Sequence, residues 1–388
     1  MKSANKVKVA VIHNTIAPYR HPLFEELAKR VELTVYYCAA KHASRAWDLW
    51  PRNYNYEYKV LPRIPIKILS GEASLNFSIV KEILRNRPDV VIIGGYVDPT
   101  MWLALFAAKL LRIPVIYWTE GMREPQTLLG ALTRPVRILF VKKADAIIVP
   151  GKLSKRYVTS LGASPDKVFI APNSIDNDLF IRLSQRFLPL KEKIKDKLNL
   201  SNKIVILTVA QLIKRKGLEF LIQAYAMLER EHKETALVIV GSGPLRQHLE
   251  ELSKSLGIKN IKFILSGLKL EELVKLYCAA DVFVLPTLED IWGFVINEAM
   301  ACGLPVISTT ASQAAYEMIS PGENGYIIKP GSINQLYVAL KIMCSNLTLR
   351  EKMGKRSQEI AIRKFNVKLM VENFLKSIRY SLKHHSTE

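Results

Sequence analysis

The chain reads as an α/β protein of two doubly wound domains. Three observations predict this. Its 388 residues are long for a single core. Short, β-branched, nearly continuous apolar runs recur along it, as parallel strands buried on both faces do. Helical patterns lie between those runs, so the order is βαβα in each half, the arrangement of Rossmann-like folds.

The first run, VKVAVIH, follows a basic start and is too short and too β-branched for the apolar stretch of a signal peptide. It opens the first sheet. ELTVYYC, DVVIIGG, PVIYWTE, AIIVPG and VFIAPN continue that series. KIVILTVA, ALVIVGSG, IKFILSG, DVFVLPT, PVISTTA and GYIIKP form the second. The expected domains are residues 1–182 and 183–365, because the stretch around 181–202 is polar and rich in lysine. Beyond GYIIKP only helical pattern remains, amphipathic near residues 332–345 and 366–383.

A net charge of +21 calls for an anionic partner: nucleic acid, an anionic membrane face or a phosphorylated substrate. No nucleic-acid-binding signature accompanies the charge, which is spread over both halves, so no nucleic acid is expected. Cys38, Cys278, Cys302 and Cys344 are scattered without a CxxC pair, which reads as free thiols in a reducing compartment and gives no zinc pattern. The longest apolar stretch, MWLALFAAKLL, is broken by Lys109 and falls short of the ~20 residues of a membrane span. A cytoplasmic protein touching the inner membrane face peripherally is the expectation. LLGALTRPVRILFVKK, with Arg134, Arg137, Lys142 and Lys143, can lie on anionic lipid or be a packed helix with a basic rim. Trp47 and Trp50 are an interfacial patch, an acceptor platform or a core pair.

The most informative segment runs from Asp281 to Pro305. A strand, DVFVLPT, ends in the acidic turn LED, and a helix starts near Trp292 and stops at Gly303. Asp290 precedes that helix and Glu298 falls in its second turn. A helix start offers free N–H groups and the positive end of a dipole to an anion such as a diphosphate. Carboxylates on either side can accept sugar hydroxyls. The same spacing also describes an ordinary crossover with two capping acids. In TVAQLIKRKGLEF, Lys214, Arg215, Lys216 and Gly217 crowd a strand-to-helix turn, which either binds phosphate or is a solvated basic turn. VIVGSGP places Gly241 and Gly243 at another strand end.

Earlier in the chain, the loop HNTIAPYRHPLF carries Arg20 and lacks the glycines of a dinucleotide site. GGYVDP brings Asp98 and WTEGMRE brings Glu120 to strand ends.

Together these segments resemble the retaining glycosyltransferases of family 4, which have the GT-B fold and a Glu-x7-Glu signature. The likeness is strong over residues 203–330 and looser before them. It implies two Rossmann-like domains facing across a cleft, an acceptor side in the first, nucleotide sugar in the second, and the last helix, 366–388, packing back on the first. It implies a nucleoside diphosphate sugar donor, a glycan or lipid-linked acceptor, and no cofactor or metal. The donor-binding residues carried over are Gln211, Lys216, Gly241, Gly243, Asp290, Trp292, Gly293, Phe294, Glu298 and Arg20. Asp290, Glu298, Lys216 and Glu120 are the catalytic candidates, with Glu120 or Asp98 orienting the acceptor. Asn173 and Asp176 resemble a structural loop before the hinge. Asp290 stands where the family has Glu, and Gln211 where it has Arg, so the phosphate clamp loses a bidentate partner. Glu317 matches a further family acid. The competing readings are another GT-B enzyme, an epimerase or phosphorylase, and a non-catalytic partner subunit.

Overall fold

Each apolar run becomes a strand. The computed structural model describes residues 6–40, 54–68, 71–123 and 128–385; Trp47 and Trp50 lie outside them. The strands are β1 (Lys8–Thr15), β2 (Glu32–Ala39), β3 (Glu57–Val60), β4 (Ile64–Ile68), β5 (Gly71–Leu75), β6 (Val90–Gly94), β7 (Val115–Trp118), β8 (Ala146–Val149) and β9 (Val168–Ile170). After them come β10 (Ile204–Val209), β11 (Thr235–Val240), β12 (Ile261–Ile264), β13 (Val282–Leu285), β14 (Val306–Thr309) and β15 (Gly325–Ile328).

Residues 1–173 with 367–388 form one compact unit and residues 174–366 another. The first holds a parallel sheet of order β3-β2-β1-β6-β7-β8-β9. The second holds a parallel sheet of order β12-β11-β10-β13-β14-β15. Alternate residues feed opposite faces. Ala10 and Ile12 enter one core of the first unit, Val9 and Val11 the other. The helix Val367–His385 adds Met370, Val371, Phe374, Leu375 and Ile378 to the core that holds Val9 and Val11. Its Phe374 ring meets Trp118 edge-on at 5.1 Å.

Three strands have no counterpart in the sequence reading. EYKV of β3 is exposed along its whole length, as an edge strand with no apolar run is. The antiparallel β4–β5 hairpin carries Pro65 and Lys67, which interrupt any strand pattern.

Aspartates pin the sheets where strands begin. Asp89, just before β6, accepts the Lys8 N–H of β1 at 2.7 Å. Asp145, before β8, accepts the Val115 N–H of β7 at 2.7 Å and the Lys109 ammonium at 2.6 Å. Asp281, before β13, accepts the Val205 N–H of β10 at 2.8 Å, Lys191 at 2.8 Å and Lys195 at 3.0 Å. Each caps a donor that the ladder leaves over at its start.

Those lysines correct the expected seam. The stretch 181–202 is not a linker: the helix Asn177–Phe187 buries Phe180 and Phe187 in the second unit, and the helix Lys191–Lys197 carries the two lysines that grip Asp281. The division therefore falls after Asn173 rather than after residue 182. Among the described residues no helix is long and apolar enough to cross a membrane. All four cysteines are buried free thiols.

Burial pushes the Asp281 carboxyl up, but Lys191, Lys195 and the Val205 N–H outweigh it and hold it below its ordinary value. Its contribution is thus complete above the unfolded carboxylate range and fades as pH falls below about 4. Asp281→Ala strands the buried Lys195 and should cost about 3–5 kcal/mol in urea unfolding at neutral pH. The gap to the parent should shrink in acid; a gap that is constant with pH would contradict the ionic account.

Candidate functional site

In the second sheet the winding reverses between β10 and β13, the place where open α/β sheets bind ligands beyond their carboxyl ends. Three loops meet there. Leu212 N–H donates to the Ser242 carbonyl at 2.9 Å and Leu245 N–H to that of Leu212 at 3.0 Å, joining the loops after β10 and β11. Leu288 N–H donates to the Arg215 carbonyl at 2.8 Å, joining those after β10 and β13. Two glycines permit the contact. A Cβ on Gly241 would stand 1.9 Å from the Ala210 carbonyl oxygen, and one on Gly217, at φ +65°, would stand 2.3 Å from that of Pro286.

This packing brings the buried Lys216 and the part-buried Asp290 together as an ion pair. Lys216 is therefore not a solvated turn lysine; it is 9% exposed. Asp290 is fixed by its own N–H, which donates to the Ala311 carbonyl at 3.0 Å. Its carboxylate lies against the start of the helix Phe294–Ala301, 3.7 Å from where a Gly293 Cβ would be. Trp292 contributes backbone here: its carbonyl accepts the Ser312 hydroxyl, while its indole is buried and donates to Asn297 at 2.9 Å. Phe294 packs part-buried on the core, and Gln211 lies half-exposed on the β10 loop beside the Gly241–Gly243 turn. Glu317 sits partly exposed on the helix Gln313–Met318.

Glu298 is one turn further along its helix. Its Oε2 accepts the Tyr277 hydroxyl at 2.7 Å. Part of its surface is open, yet its deep apolar surroundings push the carboxyl up to about 7, against the lowering effect of Tyr277. Nothing in the sequence marked Tyr277, which comes from the apolar helix Leu270–Ala279.

The first unit holds a separate polar cluster at the carboxyl ends of its strands. Arg20 is buried at 3%, stacks over Trp118 at 4.4 Å, pairs with Glu120 and donates to Asn173 Oδ1 at 2.8 Å. Asn173 Nδ2 donates to Glu120 Oε1 at 2.8 Å. Burial raises Glu120, but Arg20 and Asn173 reverse this and hold it below its ordinary value, so it is an acceptor-only carboxylate at neutral pH. His13, overlooked because it ends an apolar strand, joins this cluster. Burial first and Arg20 second lower it to about 4, which leaves a neutral imidazole. Asp98 is occupied elsewhere, accepting the Ser74 N–H at 2.6 Å. Asp176 accepts the Leu179 N–H at 2.9 Å and so caps a helix of the second unit. Among the described residues no three His, Cys, Asp or Glu side chains converge as metal ligands.

Arg137 corrects the reading of the basic helix. It is 3% exposed and donates to the Gly130 carbonyl at 2.7 Å and the Thr133 hydroxyl at 2.9 Å, whereas Arg134, Lys142 and Lys143 are exposed.

Three substitutions test how the loops are held. Gly217→Ala meets both a left-handed backbone and a carbonyl, and should lose about 2 kcal/mol or more in denaturant unfolding. Lys216→Met should destabilise measurably by leaving Asp290 half-buried and unpaired, while the exposed Lys214→Met stays within about 0.5 kcal/mol of the parent. Equal effects at 214 and 216 would contradict the ion pair.

Comparison with known proteins follows the same division. Residues 6–179 match the family described as Glycosyltransferase Family 4, and residues 191–360 match Glycosyl transferases group 1. The chain is 24% identical over 359 residues to a GDP-mannose-dependent alpha-(1-6)-phosphatidylinositol monomannoside mannosyltransferase of Mycolicibacterium smegmatis, across 89% of this chain and 90% of that one. It is 26% identical over 299 residues to the sulfoquinovosyl transferase SQD2 of Arabidopsis thaliana, across 74% of this chain and 56% of that protein. The structure of Anabaena Alr3699/HepE in complex with UDP and glucose shares the fold, with a TM-score of 0.76 at 18% identity over 96% of this chain and 99% of that one. With one family matching each half and the fold shared throughout, the chain belongs to the GT-B glycosyltransferases of family 4.

Proposed function

We propose that this glycosyltransferase moves a hexose-type sugar, with retention, from a nucleoside diphosphate to a hydroxyl of a glycan or lipid-linked acceptor at the cytoplasmic membrane face. The observation that carries the reading is the Lys216–Asp290 pair beside the start of the helix Phe294–Ala301, at the switch point of the second sheet. Lys216 and the helix dipole stabilise charge growing on the leaving diphosphate. Asp290 takes hydroxyls of the donor sugar and Glu298 those of the ribose. Because the diphosphate can accept the acceptor's proton as it leaves, the chemistry asks little of a base. Glu120, held ionised by Arg20 and Asn173, orients the acceptor hydroxyl as a hydrogen-bond acceptor. No metal takes part, and full transfer in excess chelator tests that. The relatives differ in nucleotide: one is named for GDP-mannose and another was solved with UDP. Transfer and hydrolysis across UDP-, GDP- and ADP-sugars, with the anomer of the product identified, decide both donor and stereochemistry.

The roles separate by kinetics. Asp290→Asn should lower transfer about tenfold or more and leave nucleoside diphosphate affinity nearly unchanged, since its contact is to the sugar. Glu298→Gln should weaken nucleoside diphosphate binding itself. Glu120→Gln should reduce transfer without altering that binding. If Asp290→Asn is harmless while Glu289→Gln abolishes transfer, the neighbouring acid holds the role.

The membrane part of the reading rests on the charge of +21 and on exposed Phe106, Leu110 and Leu132 in the same unit as Arg134, Lys142 and Lys143. Each cation near anionic lipid adds about 1 kcal/mol, screened by salt. Changing Arg134, Lys142 and Lys143 to Gln should reduce co-sedimentation with anionic vesicles and leave donor hydrolysis intact. Vesicle binding that is absent at low salt, or indifferent to the triple change, removes the membrane from the reading.

A further inference from the structure

We propose that Tyr277 is a positioning residue for the nucleotide: its hydroxyl fixes Glu298 so that the carboxylate's other oxygen receives the sugar diol of a nucleoside diphosphate. The inference rests on the assignment of Glu298 to the ribose made above.

The geometry has one fixed end. Tyr277 is wholly buried on the helix Leu270–Ala279, and its ring lies 5.8 Å from that of Phe283 in β13. The core thus aims the hydroxyl, which donates to Glu298 Oε2 at 2.7 Å. A phenol held by ring packing loses little freedom in making that bond, unlike a long polar side chain. Among the described residues Oε1 of Glu298 receives no protein donor, and the group is not fully enclosed. A carboxylate accepting one protein donor keeps capacity for the two O–H donors of a vicinal diol.

Tyr277 also decides when the carboxylate exists. Burial pushes Glu298 up to about 7, and the bond from Tyr277 is the opposing influence. Few other titratable groups bear on it. Cys302, on its own helix, is raised by burial, by Cys278 and by Glu298 itself. Tyr277 is likewise raised, by burial and then by Glu298. The helices Asn177–Phe187, Gln313–Met318 and Leu347–Lys364, which also pack near this helix, send no charged group that shifts it. Removing the phenol hydroxyl therefore raises the carboxyl further, and the diol loses its charge-assisted acceptor at neutral pH.

The probe is whichever of UDP, GDP and ADP the parent binds most tightly, with affinity measured by calorimetry between about pH 5.5 and pH 9. Glu298→Gln supplies the pH dependence that belongs to the phosphates alone. Relative to that baseline, parent affinity should fall as pH drops through about 7. Tyr277→Phe should bind about tenfold more weakly at neutral pH, the size of a lost charge-assisted bond. Its inflection should move upward, and its affinity should recover to within about threefold at pH 9, where the carboxyl ionises without help. A packing defect would not be rescued by pH.

Equal weakening of Tyr277→Phe at every pH, or none at any pH, overturns the role of Tyr277 while leaving Glu298 on the ribose if Glu298→Gln still binds poorly. Unchanged affinity in Glu298→Gln overturns the underlying assignment instead. Should Tyr277→Phe fail to fold, comparison of the parent with Glu298→Gln still tests the ionisation on which the role of Tyr277 depends. Binding near neutral pH should release a proton, read from heats in buffers of different ionisation enthalpy, in excess of any release by Glu298→Gln; no excess overturns it.

Discussion

The close approach of backbones beyond β10, β11 and β13 is the constraint on which the rest of the second unit's chemistry depends. Carbonyls of Ala210 and Pro286 occupy space that any side chain on Gly241 or Gly217 would need. The loops are therefore joined main chain to main chain, and Lys216 and Asp290, far apart in sequence, arrive at one place by virtue of it. A site held this way keeps its geometry without relying on flexible side chains. Electrostatic stabilisation of a transition state demands that kind of preorganisation.

The same proximity sets how charge is used. Despite the excess of cations over the whole chain, the cations nearest the two polar clusters are already matched: Lys216 by Asp290, Arg20 by Glu120. Buried pairs contribute little net stability, since desolvation offsets attraction, but each fixes where its members point. An anion approaching Lys216 exchanges partners with Asp290. Its gain is accordingly smaller than that of meeting a bare cation, and in the proposed function the exchange would free Asp290 for the donor's hydroxyls. In the first unit, Arg20 keeps Glu120 ionised, while burial, reinforced by Arg20, keeps His13 neutral. The cluster is thus poised to hold hydroxyls rather than to donate protons.

Much of this was legible in the sequence, for identifiable reasons. Strands buried on both faces must be apolar throughout, so the runs of both sheets stood out. β3 escaped because an exposed edge strand has no such requirement, and the β4–β5 hairpin because Pro65 and Lys67 break its pattern. The lysines of 191–197 were read as part of a polar seam between domains, yet Asp281 gives Lys195 a reason to be buried. Arg137 was misread likewise: its partners are local carbonyl and hydroxyl groups that a helical pattern does not reveal. Lys216 and Asp290 were legible because loop positions at strand ends carry few packing duties. Tyr277 was not, because one hydroxyl on an otherwise apolar helix face looks the same as core.

The helix Val367–His385 has a consequence for how the protein is made. Translation proceeds from the first residue, and domains ordinarily begin to fold in that order. Here the first unit lacks a wall of its core, the one against Val9, Val11 and Trp118, until the helix Val367–His385, which follows the second unit in sequence, has been made. The second unit is complete in sequence before then. A nascent or prematurely terminated chain therefore presents a finished C-terminal half beside an N-terminal half with an open apolar face, the kind of surface that chaperones and proteases recognise. Completion of the first unit is in this way tied to a segment that follows the whole of the second in sequence.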